Sequence, residues 1–273
     1  MVHALRRRSE VALIVAVTLS TVVGFALGQL GRGEARAQGT APFGFSDVVF
    51  LSHVVSEDMP IFPGDPHPRV KTLFTVEDDG FRLNLMRIGE HSSTHWGAPC
   101  HFNAGELCAD ELEAEDFFHP AVVIDVREQT RADEDFRLGV SDVEAFEAEH
   151  GQIPEGAMVI MWTGFQDRWD RPRAFQNFGP DGLMHYPGFS GAVTRWLIDE
   201  RSIGGLGIDT LGVDPGTDER YRANTLLLAE HRIHLECLAG LEQMPPVGGW
   251  VVVGGTQNEG GSGSPATVFG LVP

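Results

Sequence analysis

The chain has 273 residues and carries 20 Lys and Arg against 39 Asp and Glu, a formal net charge of −19 at pH 7. Such an acidic balance excludes nucleic acid as the natural partner, because phosphate recognition needs clustered basic residues, and Lys71 is the one lysine present. The 42% hydrophobic content is that of an ordinary globular protein, long enough for one large domain or two small ones.

The first segment reads apart from the rest. Arg6-Arg7-Arg8 is followed by the apolar run 11–27 and then by Ala35-Arg36-Ala37, the order of basic, apolar and small-residue regions in a secretory signal peptide. Residues 1–37 are therefore expected to be a signal peptide, 38–45 a flexible leader, and 46–273 the folded domain. The apolar run also reaches the roughly 17-residue lower limit for a spanning helix, so an uncleaved anchor is the other reading. With cleavage, the protein is exported to the periplasm or beyond and has no membrane partner.

Along the domain, β-like runs occur at 48–52, 70–76 and 81–88, separated by turns such as Pro63-Gly64-Asp65-Pro66. The apolar runs 121–126 and 158–162 read as buried strands. Ser141 is placed to cap a helix on which Val143 and Phe146 share a side, and Ser190 to cap a second helix through Leu197. A strand at 204–208, a helical stretch at 224–231, and strands at 233–238, 250–253 and 266–272 complete the pattern. Strands dominate the first half and alternate with helices in the second, which predicts a mixed α/β domain. The acidic stretches 106–115 and 128–149 are solvated faces or, on a sharper reading, a patch for cationic ligands.

Chemistry concentrates in one run, His91-Ser92-Ser93-Thr94-His95-Trp96-Gly97-Ala98-Pro99-Cys100-His101. Three imidazoles within eleven residues suit a divalent metal ion, zinc or manganese, for which neutral imidazole is a common ligand. Histidines satisfied by loop hydrogen bonds are the competing reading. His91 and His95 are four apart, a spacing that brings side chains together on a helical turn, although Ser-Ser-Thr between them also permits a loop. Glu236 lies in the apolar stretch Ile233-His234-Leu235-Glu236-Cys237-Leu238, where a carboxylate needs a cation, a hydrogen-bond network or a proton. Cys100 and Cys108 could bridge beside the cluster, Cys100 could be a nucleophile next to His101, and Cys237 reads as packing.

The same run resembles the core motif of the cyclase-like metal-dependent hydrolases, the family of bacterial kynurenine formamidase and isatin hydrolase, His-x-Gly-Thr-His-x-Asp-x-Pro-x-His. His91, Thr94, His95, Pro99 and His101 fall on it in register, with Ser93 at its Gly and Gly97 at its Asp. Leu51-Ser52-His53 followed by Phe62-Pro63-Gly64-Asp65-Pro66 resembles the family's opening, and Trp162-Thr163-Gly164, His185-Tyr186-Pro187-Gly188-Phe189-Ser190, Gly207-Ile208-Asp209-Thr210 and Gly261-Ser262-Gly263-Ser264-Pro265 resemble its later landmarks in order, so the likeness covers roughly 46–273. It implies a swivelling β/β/α-type fold with a barrel-like mixed β core. It also implies that His91 and His95 bind metal and that His101 moves protons. Glu236 fits a family Glu, but the position twelve before it is Asn224 where two-metal members have His. The departures at Gly97 and Asn224 point to one divalent ion on His91 and His95, completed by Glu236 or His101.

The implied activity is hydrolysis of a C–N bond in an amide, formamide or cyclic amide, or of a lactone, on a small-molecule substrate. His101 serves as base and then acid, with Glu236 beside it. Phe62, Trp96 and Asn224 are expected to line the substrate pocket, Asn224 alternatively capping a helix. Asp65 and His53 are expected to hold turns, Asp209 to make structural bonds or serve the site, His185 and Tyr186 to shape the entrance by resemblance, and His234 to be surface or structural. Relatives imply a homo-oligomer. The rival from another class is a metal-free periplasmic binding protein or pseudoenzyme on the same fold.

Overall fold

Runs of consecutive apolar residues build the centre of the molecule. The structure, a computed structural model, describes residues 44–273; the expected signal peptide and most of the leader lie outside the described residues. The strands in chain order are β1 (Asp47–Phe50), β2 (Arg69–Phe74), β3 (Leu83–Arg87), β4 (His95–Gly97), β5 (Phe118–Asp125), β6 (Arg137–Leu138) and β7 (Met158–Trp162). They continue as β8 (Gly188–Phe189), β9 (Gly205–Ile208), β10 (Ile233–Glu236), β11 (Gly249–Val253), β12 (Gly263–Pro265) and β13 (Val268–Val272). The helices are α1 (Val76–Asp79), α2 (Arg127–Ala132), α3 (Val140–His150), α4 (Pro172–Gln176), α5 (Gly191–Arg201) and α6 (Arg222–Leu227).

Nine strands form one curled mixed sheet in the order β1-β13-β11-β5-β7-β9-β10-β4-β12. Its centre, β5-β7-β9-β10, is parallel. Side chains alternate across a strand: Val122, Ile124, Val159 and Leu206 meet Val193 and Leu197 of α5 and Leu227 of α6 on one face. Ala121, Val123, Ile160 and Leu235 meet Trp96, Val251 and Leu51 on the other. Both faces are covered, which is why these strands are unbroken apolar runs in the sequence. The expected mixed α/β fold with a barrel-like core is the one observed.

Some boundaries differ from expectation. α3 starts at Val140, and its N-cap is Gly139 rather than Ser141; the Gly139 N–H donates to Asp142 Oδ2 at 2.8 Å. Ser190 does cap α5, accepting from the Val193 N–H, but the helix runs on to Arg201. The helical stretch expected at 224–231 is displaced to Arg222–Leu227 because the Asp214 carboxylate accepts the N–H groups of Ala223 and Asn224, anchoring the first turn there. β2 and β3 form a separate antiparallel ribbon, exposed along its length. Among the described residues no helix is long and apolar enough to cross a membrane.

Candidate metal centre

The site is set by register. β4 pairs antiparallel with β10 so that His95 faces Glu236, Trp96 faces Leu235 and Gly97 faces His234. Directly opposed residues share a face, and residues two apart on one strand share it too. His95, Gly97, His234 and Glu236 therefore project to one side, while Trp96 and Leu235 enter the core on the other. Trp96 is 1% exposed and edge-on to Phe117 at 5.0 Å; the expectation that it lines the pocket is corrected by this strand alternation.

The chain enters β4 through a tight turn. Ser93 has φ 60°, in the left-handed region, and its carbonyl accepts from His95 Nδ1 at 2.9 Å. His91 thus sits on a loop before the strand rather than on a helix, with its ring centroid 5.1 Å from that of His95. His101 closes a short 3₁₀ turn, Pro99–His101, and its ring stacks on His91 at 3.7 Å between centroids. Cys100 and Cys108 are disulfide-bonded, closing the loop that carries His101, and Cys237 is a buried free thiol.

His91, His95 and His234 each offer a ring nitrogen, and the three lie within 4.8 Å of one another. The outer nitrogen of each ring is already engaged. His95 Nδ1 is held by the Ser93 carbonyl, His234 Nδ1 by Asn224 Oδ1 at 2.6 Å, and His91 Nε2 by Ser262 Oγ at 2.9 Å. Ser262 Oγ donates onward to Glu90 Oε2 at 2.8 Å, so it is left to accept from His91. Each proton is thereby assigned to the outer nitrogen, as the hydrogen-bond network requires. The inner atoms, His91 Nδ1, His95 Nε2 and His234 Nε2, are buried without a hydrogen-bond partner. Three buried lone pairs converging with no donor between them fit a cation.

Electrostatics agree. Burial, and then the neighbouring rings, lower the pKa of His91 to about 2 and that of His234 to about 3, so both are neutral at physiological pH. Burial alone would raise Glu236, but His234, His95 and the Val213 N–H hold its carboxyl well below the usual range. Glu236 Oε2 lies 3.2 Å from His95 Nε2, and Oε1 accepts from Val213 N–H at 2.9 Å. A buried carboxylate facing these imidazole rings calls for a cation. Burial lowers His101 as well, leaving it a free base.

A cavity of about 460 Å³ opens beside these groups, without His234 in its lining. Of the residues expected at the site, His91, His95, His101, Glu236, Phe62 and Asn224 all line it. Asn224 is not an N-cap; its amide bridges His234 and, more loosely, Glu236 Oε1 at 3.5 Å. His101 and Glu236 stand beside the three-imidazole set rather than in it. His234, taken as surface or structural from the sequence, is a full member. Its signal was the i, i+2 spacing to Glu236 in a strand whose intervening residues are apolar. Asp65 lines the cavity besides making its turn, with burial raising its pKa. Asp214 lines it too, raised by burial to about 7. Tyr186 is on the wall, whereas His185 turns outward to Asp135 and Asp181. Asp209 is occupied by Thr163, Gly164 and Gln166, a structural role at the end of β7.

The family profile described as "Putative cyclase" matches residues 49–215. The chain is 31% identical over 244 residues to isatin hydrolase from Roseibium aggregatum, covering 83% of this chain and 92% of that protein. It is 24% identical over 201 residues to kynurenine formamidase from Salinibacter ruber, covering 73% and 85%. Among solved structures, an isatin hydrolase bound to the product analogue thioisatinate superposes with a TM-score of 0.81 at 29% identity, covering 92% of this chain and 98% of that one. Isatin hydrolase A from Labrenzia aggregata, bound to benzyl benzoate, gives a TM-score of 0.79 at 31% identity, covering 90% and 99%.

Proposed function

The chain belongs to the cyclase family of metal-dependent hydrolases, and from that premise we propose that it opens a cyclic amide fused to a flat ring, adding water across the C–N bond. The observation that carries this reading is the set of three inward, unpartnered imidazole nitrogens, two of whose rings, His91 and His95, line an aromatic cavity. Phe62, Phe102, Phe178 and Tyr186 supply flat apolar wall. Asp65, Asp218 and Glu219 also line the cavity and, among the described residues, no Lys or Arg does, so a neutral lactam is favoured over an anionic amino-acid formamide.

His91, His95 and His234 would hold a divalent ion, which when bound would acidify a water and polarise the substrate carbonyl. His101, neutral and beside His91, accepts a proton from the attacking water and returns it to the nitrogen as the C–N bond breaks. Water's oxygen ends in the new carboxylate and the ring nitrogen leaves as an amine. Glu236, whose Oε2 lies 3.2 Å from His95 Nε2, would balance the cation's charge.

The reading extends to location and assembly. The Arg6-Arg7-Arg8, 11–27 and Ala35-Arg36-Ala37 pattern and the Cys100–Cys108 disulfide support export to an oxidising compartment. The exposed apolar ribbon of β2 and β3 supports a homo-oligomer. The test is turnover of a benzo-fused lactam, an aryl formamide and an aromatic lactone by purified protein, beside His101→Ala. The lactam should turn over fastest, with kcat about 10²–10⁴-fold lower in the variant and metal content retained. No turnover of any of the three by the metal-loaded protein would defeat the proposal.

A further inference from the structure

Gly97 and His234 exclude each other. A Cβ at residue 97 would lie 2.3 Å from His234 Nε2 and 2.5 Å from Cε1, far inside van der Waals contact. Any side chain at 97 would enter the space that the His234 ring fills, and would reach the ring at its inward nitrogen. The two residues are also direct cross-strand partners, so the competition is built into the β4–β10 register. His234 is 0% exposed and cannot swing out to solvent to relieve it.

Asn224 completes the arrangement. Glu236 Oε1 lies 3.5 Å from Asn224 Nδ2, and an ionised carboxylate can only accept, so the amide NH₂ faces Glu236. Its oxygen is then left for His234 Nδ1 at 2.6 Å. That bond holds the His234 proton on Nδ1 and frees Nε2 toward His91 and His95. A histidine at 224 would not present the same fixed pair of amide donor and amide acceptor.

We propose that Gly97, His234 and Asn224 are one coupled unit that moves the third metal ligand from β4 to β10. His234 Nε2 is the ligand, Gly97 is the room it needs, and Asn224 sets its tautomer. The two departures from the motif are then a single substitution of an imidazole for a carboxylate at the same point in space. Three imidazoles in place of two and a carboxylate also shift the preference from oxygen-seeking manganese toward zinc and similar nitrogen-seeking ions. The inference rests on the metal-dependent reading, but it is tested by binding rather than by turnover.

The experiment is zinc and manganese titration of chelator-stripped protein against a competing indicator, on wild type, His234→Ala, Asn224→Ala, Gly97→Ala and Gly97→Asp/His234→Ala, with circular dichroism for folding. Wild type should bind one zinc per chain and prefer it to manganese. His234→Ala should lose more than about 100-fold in zinc affinity and Asn224→Ala about 10–100-fold, as an outer partner does. Gly97→Ala should weaken binding by crowding the ring although it removes no donor. The double variant should recover at least about 10-fold over His234→Ala and regain manganese. X-ray absorption on zinc-loaded wild type counts imidazoles without any substitution: three are expected, and two or fewer would overturn the inference. Folded His234→Ala binding zinc as tightly as wild type would overturn it as well, while lactam turnover by that protein would leave the hydrolase reading intact.

Discussion

His53 shows how one buried ring couples this fold to pH. It stacks flat on Trp169 at 4.0 Å between centroids, and burial lowers its pKa to about 4. Unfolded, the same ring titrates near 6.5. Between those values the unfolded chain binds a proton that the folded chain does not, so stability falls as pH drops from about 6.5 to about 4. His53 adds up to about 1.4 kcal/mol per pH unit to that slope. In His53→Phe, which keeps the stack on Trp169, urea unfolding measured from pH 4.5 to 6.5 should show a slope shallower by that amount. Equal slopes would mean that the ring is protonated in the fold. The candidate metal cluster is less evenly legible at this scale. His91, His95 and His101 are conspicuous because they crowd one short run, and Glu236 because a carboxylate interrupts an apolar one. His234 is hidden, since a single histidine beside leucine and isoleucine reads as core until the register places it opposite Gly97. Asp214 lies in a loop without a pattern of its own.

At the level of elements, the buried strands β5, β7 and β9 are readable because both of their faces are covered and their apolar runs are continuous. β4 and β12 are not. Each has three residues, and their pairing joins Trp96 to Ser264 and Gly97 to Gly263 across more than half the chain. No local periodicity can encode such a contact. The turn into β4 is nevertheless visible after the fact, because Ser93 occupies a motif position that favours Gly. Its φ of 60° explains the preference. Ser93→Gly should leave stability within about 1 kcal/mol of wild type, strain relief offsetting unfolded-state entropy. Ser93→Val should cost about 1–2 kcal/mol more, and, by tilting the carbonyl that orients His95, weaken metal binding. Thermal unfolding of both variants decides; equal tolerance of Gly and Val would show that the turn is unstrained.

For the molecule as a whole, the ribbon of β2 and β3 is the feature that the curled sheet does not account for. Val70, Leu73, Phe74, Leu83, Leu85 and Met86 are all exposed on it, and a lone two-stranded ribbon is at best marginally stable. Leu85→Glu/Met86→Glu should convert an oligomer to a monomer by light scattering behind size exclusion, with the sheet core intact by circular dichroism. A wild-type monomer at micromolar concentration would contradict this assembly.

The three converging imidazoles make the whole account depend on a bound cation. Activity should therefore be followed through metal removal and return: strip the protein with a chelator, assay lactam opening, then add zinc in fractions of an equivalent. The account predicts that activity disappears with the metal and returns linearly to a plateau at one equivalent per chain. Full activity in protein shown by elemental analysis to be metal-free would contradict it, and would leave His101 and Glu236 as a metal-independent acid and base.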